Sequence, residues 1–262
     1  VSTVSDAVFD AMSVGAVDFI EKPSANSVED IKEFIANLIY KVKIAVTANI
    51  NISEDKTIDK TINYSKDTDV KKESNFHKVI AIGASTGGTE AISSIFKLLP
   101  TSSPGIVIAQ HIPPRFSTMF ANRLNDNTKF IVKEAKTGDL IEPGKVLVAP
   151  GNKHMRVKKQ GKHYKVECFD SDKVNGHRPS VDVLFESVAE EYKENATGVI
   201  LTGMGYDGAK GLLSMRQKGA KTIGQDKESC VVYGMPQVAH NIGAVEKQVS
   251  LEKIPIAIAE LL

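Results

Sequence analysis

Three short, unbroken apolar runs, each leading through a polar or glycine-rich turn into a helical pattern, constrain this chain more than any other feature. Val79-Ile80-Ala81-Ile82 precedes the turn Gly83–Gly88 and a helix through Leu99. Gly105-Ile106-Val107-Ile108-Ala109 precedes a Pro113-Pro114 turn and a helix near Ser117–Leu124. Gly198-Val199-Ile200-Leu201 precedes a second glycine-rich turn and a helix through Lys218. A strand that is apolar at every position has no face to offer water, so both faces need helices over them. The pattern predicts an α/β fold with a mostly parallel, doubly wound sheet. Met155–Lys159 and His163–Phe169 flank Gln160-Gly161-Lys162 and read as an inserted β-hairpin.

Ahead of this unit, residues 1–46 read as the end of another α/β domain. Ala7, Val8, Ala11 and Met12 have helical spacing, Gly15 stops that helix, and Val17-Asp18-Phe19-Ile20 suits a short strand broken by Lys22-Pro23. Ser27, with Asp30 three residues on, suits an N-cap, and Ile31, Phe34, Ile35, Leu38 and Val42 form the stripe of the following helix. Residues 47–76 are rich in Lys, Asp, Glu, Thr, Ser and Asn. That composition buries too little apolar surface to offset its ordering entropy and predicts a flexible linker. Residues 77–262 form the third unit.

Thirty-three basic side chains against 32 acidic ones give a net charge of +1, and no basic stripe points to nucleic acid. Cys168 and Cys230 form neither a disulfide framework nor a metal knuckle, which suits a reducing cytoplasm. The residues given show no signal-peptide pattern and their apolar runs are too short to span a bilayer, so no membrane insertion is expected. The first residue is Val1, as expected for a fragment of a longer protein.

Open parallel sheets bind ligands where their strands end. The first run is followed by Ser85, the second by Gln110 and His111, and the third by Thr202-Gly203-Met204-Gly205-Tyr206-Asp207. A hydroxyl, an imidazole and a carboxylate are thus expected at one rim. A serine hydroxyl needs a base within reach and a third group to fix that base's tautomer. Gly83-x-Ser85-x-Gly87 has the pattern of a nucleophile elbow, with N–H groups at the start of the following helix, at Thr86 or Gly87, available to an oxyanion.

Other readings compete. A glycine-rich strand–helix turn is as often a phosphate or dinucleotide cradle, so Gly83–Gly88 equally suits a nucleotide-binding module. His77, His163 and His240 suit surface or core positions, whereas His154 and His177 lie in loops and stay open as bases. Asp226 ends a strand of its own, Thr222–Gln225, and spacing does not choose between it and Asp207. Asp182 is expected to cap or decorate the helix it begins. No cluster has metal-ligand spacing, so neither metal nor cofactor is expected.

Ile82–Gly88, Gln110-His111-Ile112-Pro113 and Leu201–Gly208 closely resemble the chemotaxis protein-glutamate methylesterases, as do His177–Asp182 and Ser229–Pro236. The resemblance spans about residues 78–262. It implies Ser85 as nucleophile, His111 as general base and Asp207, rather than Asp226, as third member. It also implies action on γ-glutamyl methyl esters of chemoreceptors and deamidation of receptor glutamines. Thr86 and Met204 are the expected oxyanion donors. Residues 1–23 resemble the tail of a response-regulator receiver, with Ser2 as its switch hydroxyl and Lys22 as its phosphate-sensing lysine. The family order of receiver, linker and esterase would make a histidine kinase a partner where a full receiver exists. This chain starts after the family's phosphoacceptor aspartate. Either phosphorylation control is lost or relocated, or it was cut away with the N-terminus. Residues 1–46 are accordingly expected to be poorly ordered or to dock elsewhere.

Overall fold

The computed structural model describes residues 4–23, 28–49 and 75–261. Seven parallel strands form one sheet: β1 (Val79–Ala84), β2 (Gly105–Gln110), β3 (Ile131–Glu134), β4 (Lys145–Val148), β7 (Ala196–Ile200), β8 (Lys221–Gln225) and β9 (Lys247–Val249). Their order is β3-β4-β2-β1-β7-β8-β9. A separate antiparallel hairpin joins β5 (His154–Gln160) to β6 (His163–Phe169).

The pleat explains why the central strands are apolar throughout. Ile80, Ile82, Ile106 and Ile108 pack on one side, with α3 (Gly88–Phe96), α4 (Pro114–Asn127) and α8 (Ile254–Glu260). Ala81 and Val107 pack on the other, with α5 (Val181–Tyr192), α6 (Ala209–Gln217), α7 (Met235–Asn241) and the hairpin. The helices after β1 and β7 therefore leave on opposite faces. Between these strands the sheet has a switch point, where a crevice opens beyond the carboxyl ends. Register brings three loops together there: Ala84 lies beside Gln110, and Gly83 lies between Ala109 and Ile200.

The N-terminal helices α1 (Val4–Ser13) and α2 (Val28–Thr47) are both formed. The described part of this segment docks against α4. Phe9 lies 6.2 Å from Phe120 and Phe19 lies 4.4 Å from Phe116, centroid to centroid, and Arg123 is ion-paired with Asp10 at 2.8 Å. The strand expected at 17–20 does not form; that stretch is irregular chain held by Phe116 of α4 and by Lys41 of α2, which donates to the Asp18 carboxylate and the Phe19 carbonyl. The expected stripe of α2 is exposed at Ile31, Ile35, Leu38 and Val42. Ser2, Ser27 and residues 50–74 of the expected linker lie outside the described residues. Lys22 is exposed.

Candidate active site

Ser85 is the first residue beyond β1, and its backbone is tied on three sides. Its N–H donates to the Thr202 carbonyl at 3.0 Å, and its carbonyl accepts from Gly88 N–H and Gln110 Nε2, both at 2.8 Å. The chain then turns through Gly87 at φ 78°, a left-handed conformation that costs glycine nothing, and α3 starts at Gly88. The turn leaves the Ser85 side chain partly exposed on an otherwise buried strand end.

His111 follows β2, and its N–H donates to the Ala84 carbonyl at 3.1 Å, so the imidazole and the hydroxyl grow from adjacent rungs. Buried Gln110 completes the clamp: the same Nε2 that holds the Ser85 carbonyl also donates to the His111 carbonyl at 3.2 Å. His111 Nε2 lies 2.8 Å from Asp207 Oδ2, while Nδ1 is buried without a hydrogen-bond partner among the described residues. No hydrogen bond joins Ser85 Oγ to the imidazole among the described residues. Catalytic hydrogen bonds are often loose without substrate and tighten when it binds.

Asp207 is 1% exposed and crowded with donors. Besides His111 it accepts from Ser180 Oγ at 2.7 Å, Asn175 Nδ2 at 2.8 Å, Val181 N–H at 2.6 Å and Asp182 N–H at 3.3 Å. Burial alone would raise its pKa. The hydrogen bonds from His111, Asn175 and Ser180, with the attraction of the imidazole, outweigh that and hold it well below the usual carboxylate range. An ionised Asp207 accepts only, so neutral His111 carries its proton on Nε2 and leaves the Nδ1 lone pair free.

The competing residues lie elsewhere. Asp226 binds the Ser229 N–H and hydroxyl at 3.0 and 2.7 Å and holds its own loop closed. Asp182 sits in the first turn of α5, one of the two roles expected of it, and Ser180 supplies the cap. It is buried and ties that helix to α6 through the Gly211 N–H at 2.7 Å, and burial raises its pKa. His154 is not in a loop but opens β5, fully buried, bridging the Asp172 carbonyl and the Ser180 N–H at 3.0 and 3.2 Å. His177 stacks on His111, with centroids 3.7 Å apart. Thr86 and Met204 directly follow Ser85 and Gly203, and a Cβ added at Gly203 would stand 2.6 Å from the Ser85 Cβ.

Spacing did not single out Gln110, Asn175 or Ser180 as site residues. The turn signal Asn175-Gly176 was the available clue for Asn175. The N-terminal segment also reaches this mouth: Met12, Asp18 and Phe19 line one cavity with Ser85, Thr86, Gln110 and His111. Thr86 Oγ1 donates to Asp18 Oδ2 at 2.9 Å, and Lys41 holds the other carboxylate oxygen at 2.6 Å.

A parallel α/β sheet with serine, histidine and aspartate at its switch point defines a hydrolytic enzyme. A family model described as CheB methylesterase matches residues 80–258, and the chain belongs to that family. A protein-glutamate methylesterase/protein-glutamine glutaminase 2 of Syntrophomonas wolfei is 49% identical over 262 residues, covering all of this chain and 75% of the relative. A protein-glutamate methylesterase/protein-glutamine glutaminase of Salmonella typhimurium is 44% identical over 250 residues, 95% of this chain and 70% of that one. The crystal structure of the Thermotoga maritima CheB methylesterase catalytic domain superposes with a TM-score of 0.69 at 40% identity, covering 71% of this chain and 98% of that one.

Proposed function

We propose that this chain is a protein-glutamate methylesterase that also deamidates glutamines, acting on the cytoplasmic helices of methyl-accepting chemoreceptors through an acyl-enzyme on Ser85. The observation that carries the reading is the buried His111–Asp207 pair, 2.8 Å apart, on the rung next to Ser85. His111 Nδ1 takes the Ser85 proton as Oγ adds to the side-chain carbonyl carbon. The Thr86 and Met204 N–H groups receive the oxyanion. As the tetrahedral centre collapses, the C–O bond to methoxide breaks and His111 returns the proton, so methanol leaves; with a glutamine, ammonia leaves instead. Water then gives a proton to His111 and attacks the acyl carbon, the bond to Ser85 Oγ breaks, and His111 returns the proton to Oγ, releasing the glutamate and free Ser85.

Membership of the CheB methylesterase family supports the substrate class. No helix among the described residues is long and apolar enough to cross a membrane, which suits a cytoplasmic enzyme. Residues 1–46 are proposed as the tail of a receiver, 47–76 as its linker and 77–262 as the catalytic domain. A histidine kinase partner and the roles of Ser2 and Lys22 would follow where a full receiver precedes.

The test is reaction with a fluorophosphonate, followed by mapping of the modified residue and assay of Ser85→Ala for methanol release. Labelling at Ser85, with a loss of roughly 10⁴–10⁶-fold in the variant, is expected. Near-normal turnover by Ser85→Ala would end the proposal.

A further inference from the structure

A single hydrogen bond from Nε2 to Asp207 leaves the His111 ring free to swing about that bond, because Nδ1 has no partner to stop it. The His177 ring lies flat against it, with centroids 3.7 Å apart and planes within 7°. His177 is placed by its backbone. Val174 and His177 exchange both N–H···O bonds, at 3.1 and 2.9 Å, across the two residues Asn175 and Gly176. Those two have φ of 52° and 82°, the left-handed pair that a tight hairpin turn with Asn-Gly adopts. The same turn reaches the carboxylate: Asn175 Nδ2 donates to Asp207 Oδ1 at 2.8 Å and to Asp182 Oδ2 at 2.7 Å.

We infer that the 174–177 turn is a clamp on the His111–Asp207 pair, with His177 positioning the imidazole plane and Asn175 positioning the carboxylate. The inference rests on the roles proposed above for Ser85, His111 and Asp207. Its logic is rotational. Asp207 fixes one edge of the imidazole and His177 fixes its face, so Nδ1 can only point along the line left over. Asn175 anchors the carboxylate from the side opposite His111, bracing it against Asp182, so the two contacts share one rigid support. Burial, and then the neighbouring imidazole, lower the His177 pKa to about 4. His177 is therefore neutral when His111 takes up a proton, and it offers a ring face to the cation instead of a second charge.

The clamp predicts effects on turnover. We would measure kcat and KM for methanol release from methylated receptor, fluorophosphonate labelling rates and melting temperatures in His177→Ala, His177→Phe, Asn175→Gly and Ser85→Ala. Losing the stack and with it the ring's orientation should lower kcat of His177→Ala by roughly tenfold to a hundredfold, with labelling slowed in step and KM little changed. His177→Phe restores a ring face and should recover to within about threefold of the wild type. Its kcat/KM should keep the wild-type midpoint on the acid side, although His111, Asp207 and Lys173 all face position 177. Asn175→Gly keeps the turn's left-handed backbone and removes only the amide, and should lower kcat by about tenfold.

If His177→Ala melts early, the Phe and Gly variants decide. Wild-type kcat in both His177→Ala and Asn175→Gly, alongside an inactive Ser85→Ala, would overturn the clamp and leave the active-site reading standing. So would a His177→Phe enzyme as inactive as Ser85→Ala, since His177 would then be needed for its own chemistry. An active Ser85→Ala would remove the mechanism on which the clamp depends.

Discussion

His111 turns Nε2 toward Asp207, 2.8 Å away, and so keeps Nδ1 as its only candidate base atom. The tautomer is enforced by the carboxylate, which cannot donate. An asparagine at 207 can present its NH₂ to the ring instead, which favours the tautomer with its lone pair on the wrong nitrogen. Asp207→Asn should therefore lose roughly 10³–10⁴-fold in kcat, with a lower melting temperature because the same NH₂ would also face the Val181 N–H. Asp226→Asn, which disturbs only the Ser229 loop, should stay within about threefold. Equal losses in methanol-release assays of the two variants would refute the assignment of Asp207.

Two depressed pKa values make separate acid sensitivities. His177, with its pKa lowered to about 4 by burial and by His111, binds a proton less readily folded than unfolded. Between that value and about 6.5, the ordinary imidazole pKa, the unfolded chain holds more protons, so stability falls as pH drops through this window. Asp207 is also depressed, so its contribution is present above about pH 4 and is lost only as pH falls further, toward its folded pKa. Urea unfolding at pH 7 and pH 5 should show the wild type losing of order 1–3 kcal/mol more than His177→Phe over that interval. The same pH dependence in both proteins would mean that His177 is not held neutral.

The N-terminal segment covers part of the same mouth through Asp18, Phe19 and Met12. Removing that cover should matter more to a receptor helix than to a small ester, because only the large substrate needs the rim. Asp18→Ala combined with Phe19→Ala breaks the bond to Thr86 and the ring contact with Phe116. It is expected to raise kcat/KM on methylated receptor by roughly threefold to tenfold and to leave hydrolysis of a small ester nearly unchanged. Equal acceleration of both substrates would show that the segment acts on the chemistry instead of on access.

What could be read from the sequence follows physical lines. Strands buried on both faces reveal themselves as unbroken apolar runs, and their ends reveal Ser85 and His111 at one rim, whereas Asp207 and Asp226 both follow strand ends and only the family resemblance separated them. The periodic stripe of α2 also marked a helix, yet its apolar face is exposed here, since periodicity says which face is apolar and not what covers it. Val17–Ile20 looked like a strand but is held by Phe116 packing, because four apolar-rich residues have no strand identity without a partner. His154 was misplaced because it lies in the hydrogen-bonded cluster around Ser180, Asn175 and Asp207, which joins segments some 50 residues apart. Cross-chain hydrogen bonds of this kind have no period and leave no local trace.

Gly203 offers a sharp test of how closely the rim is packed. Its N–H donates to the Val232 carbonyl at 3.0 Å and its carbonyl accepts from Met235 N–H at 2.8 Å, so the backbone has little room to retreat. An added methyl would press on the Met235 sulfur on one side and stand 2.6 Å from the Ser85 Cβ on the other. Overpacking of this kind should cost Gly203→Ala about 1–3 kcal/mol of stability. Displacing the Ser85 side chain should separately lower kcat by as much as roughly a hundredfold. The double variant Gly203→Ala/Met235→Ala opens space on the sulfur side alone. Its kcat should remain low even where melting shows the strain relieved, because the methyl still bears on Ser85. Recovery of kcat in the double variant would instead locate the defect in the Met235 side of the loop, and the close approach of Gly203 to Ser85 would then have no catalytic consequence.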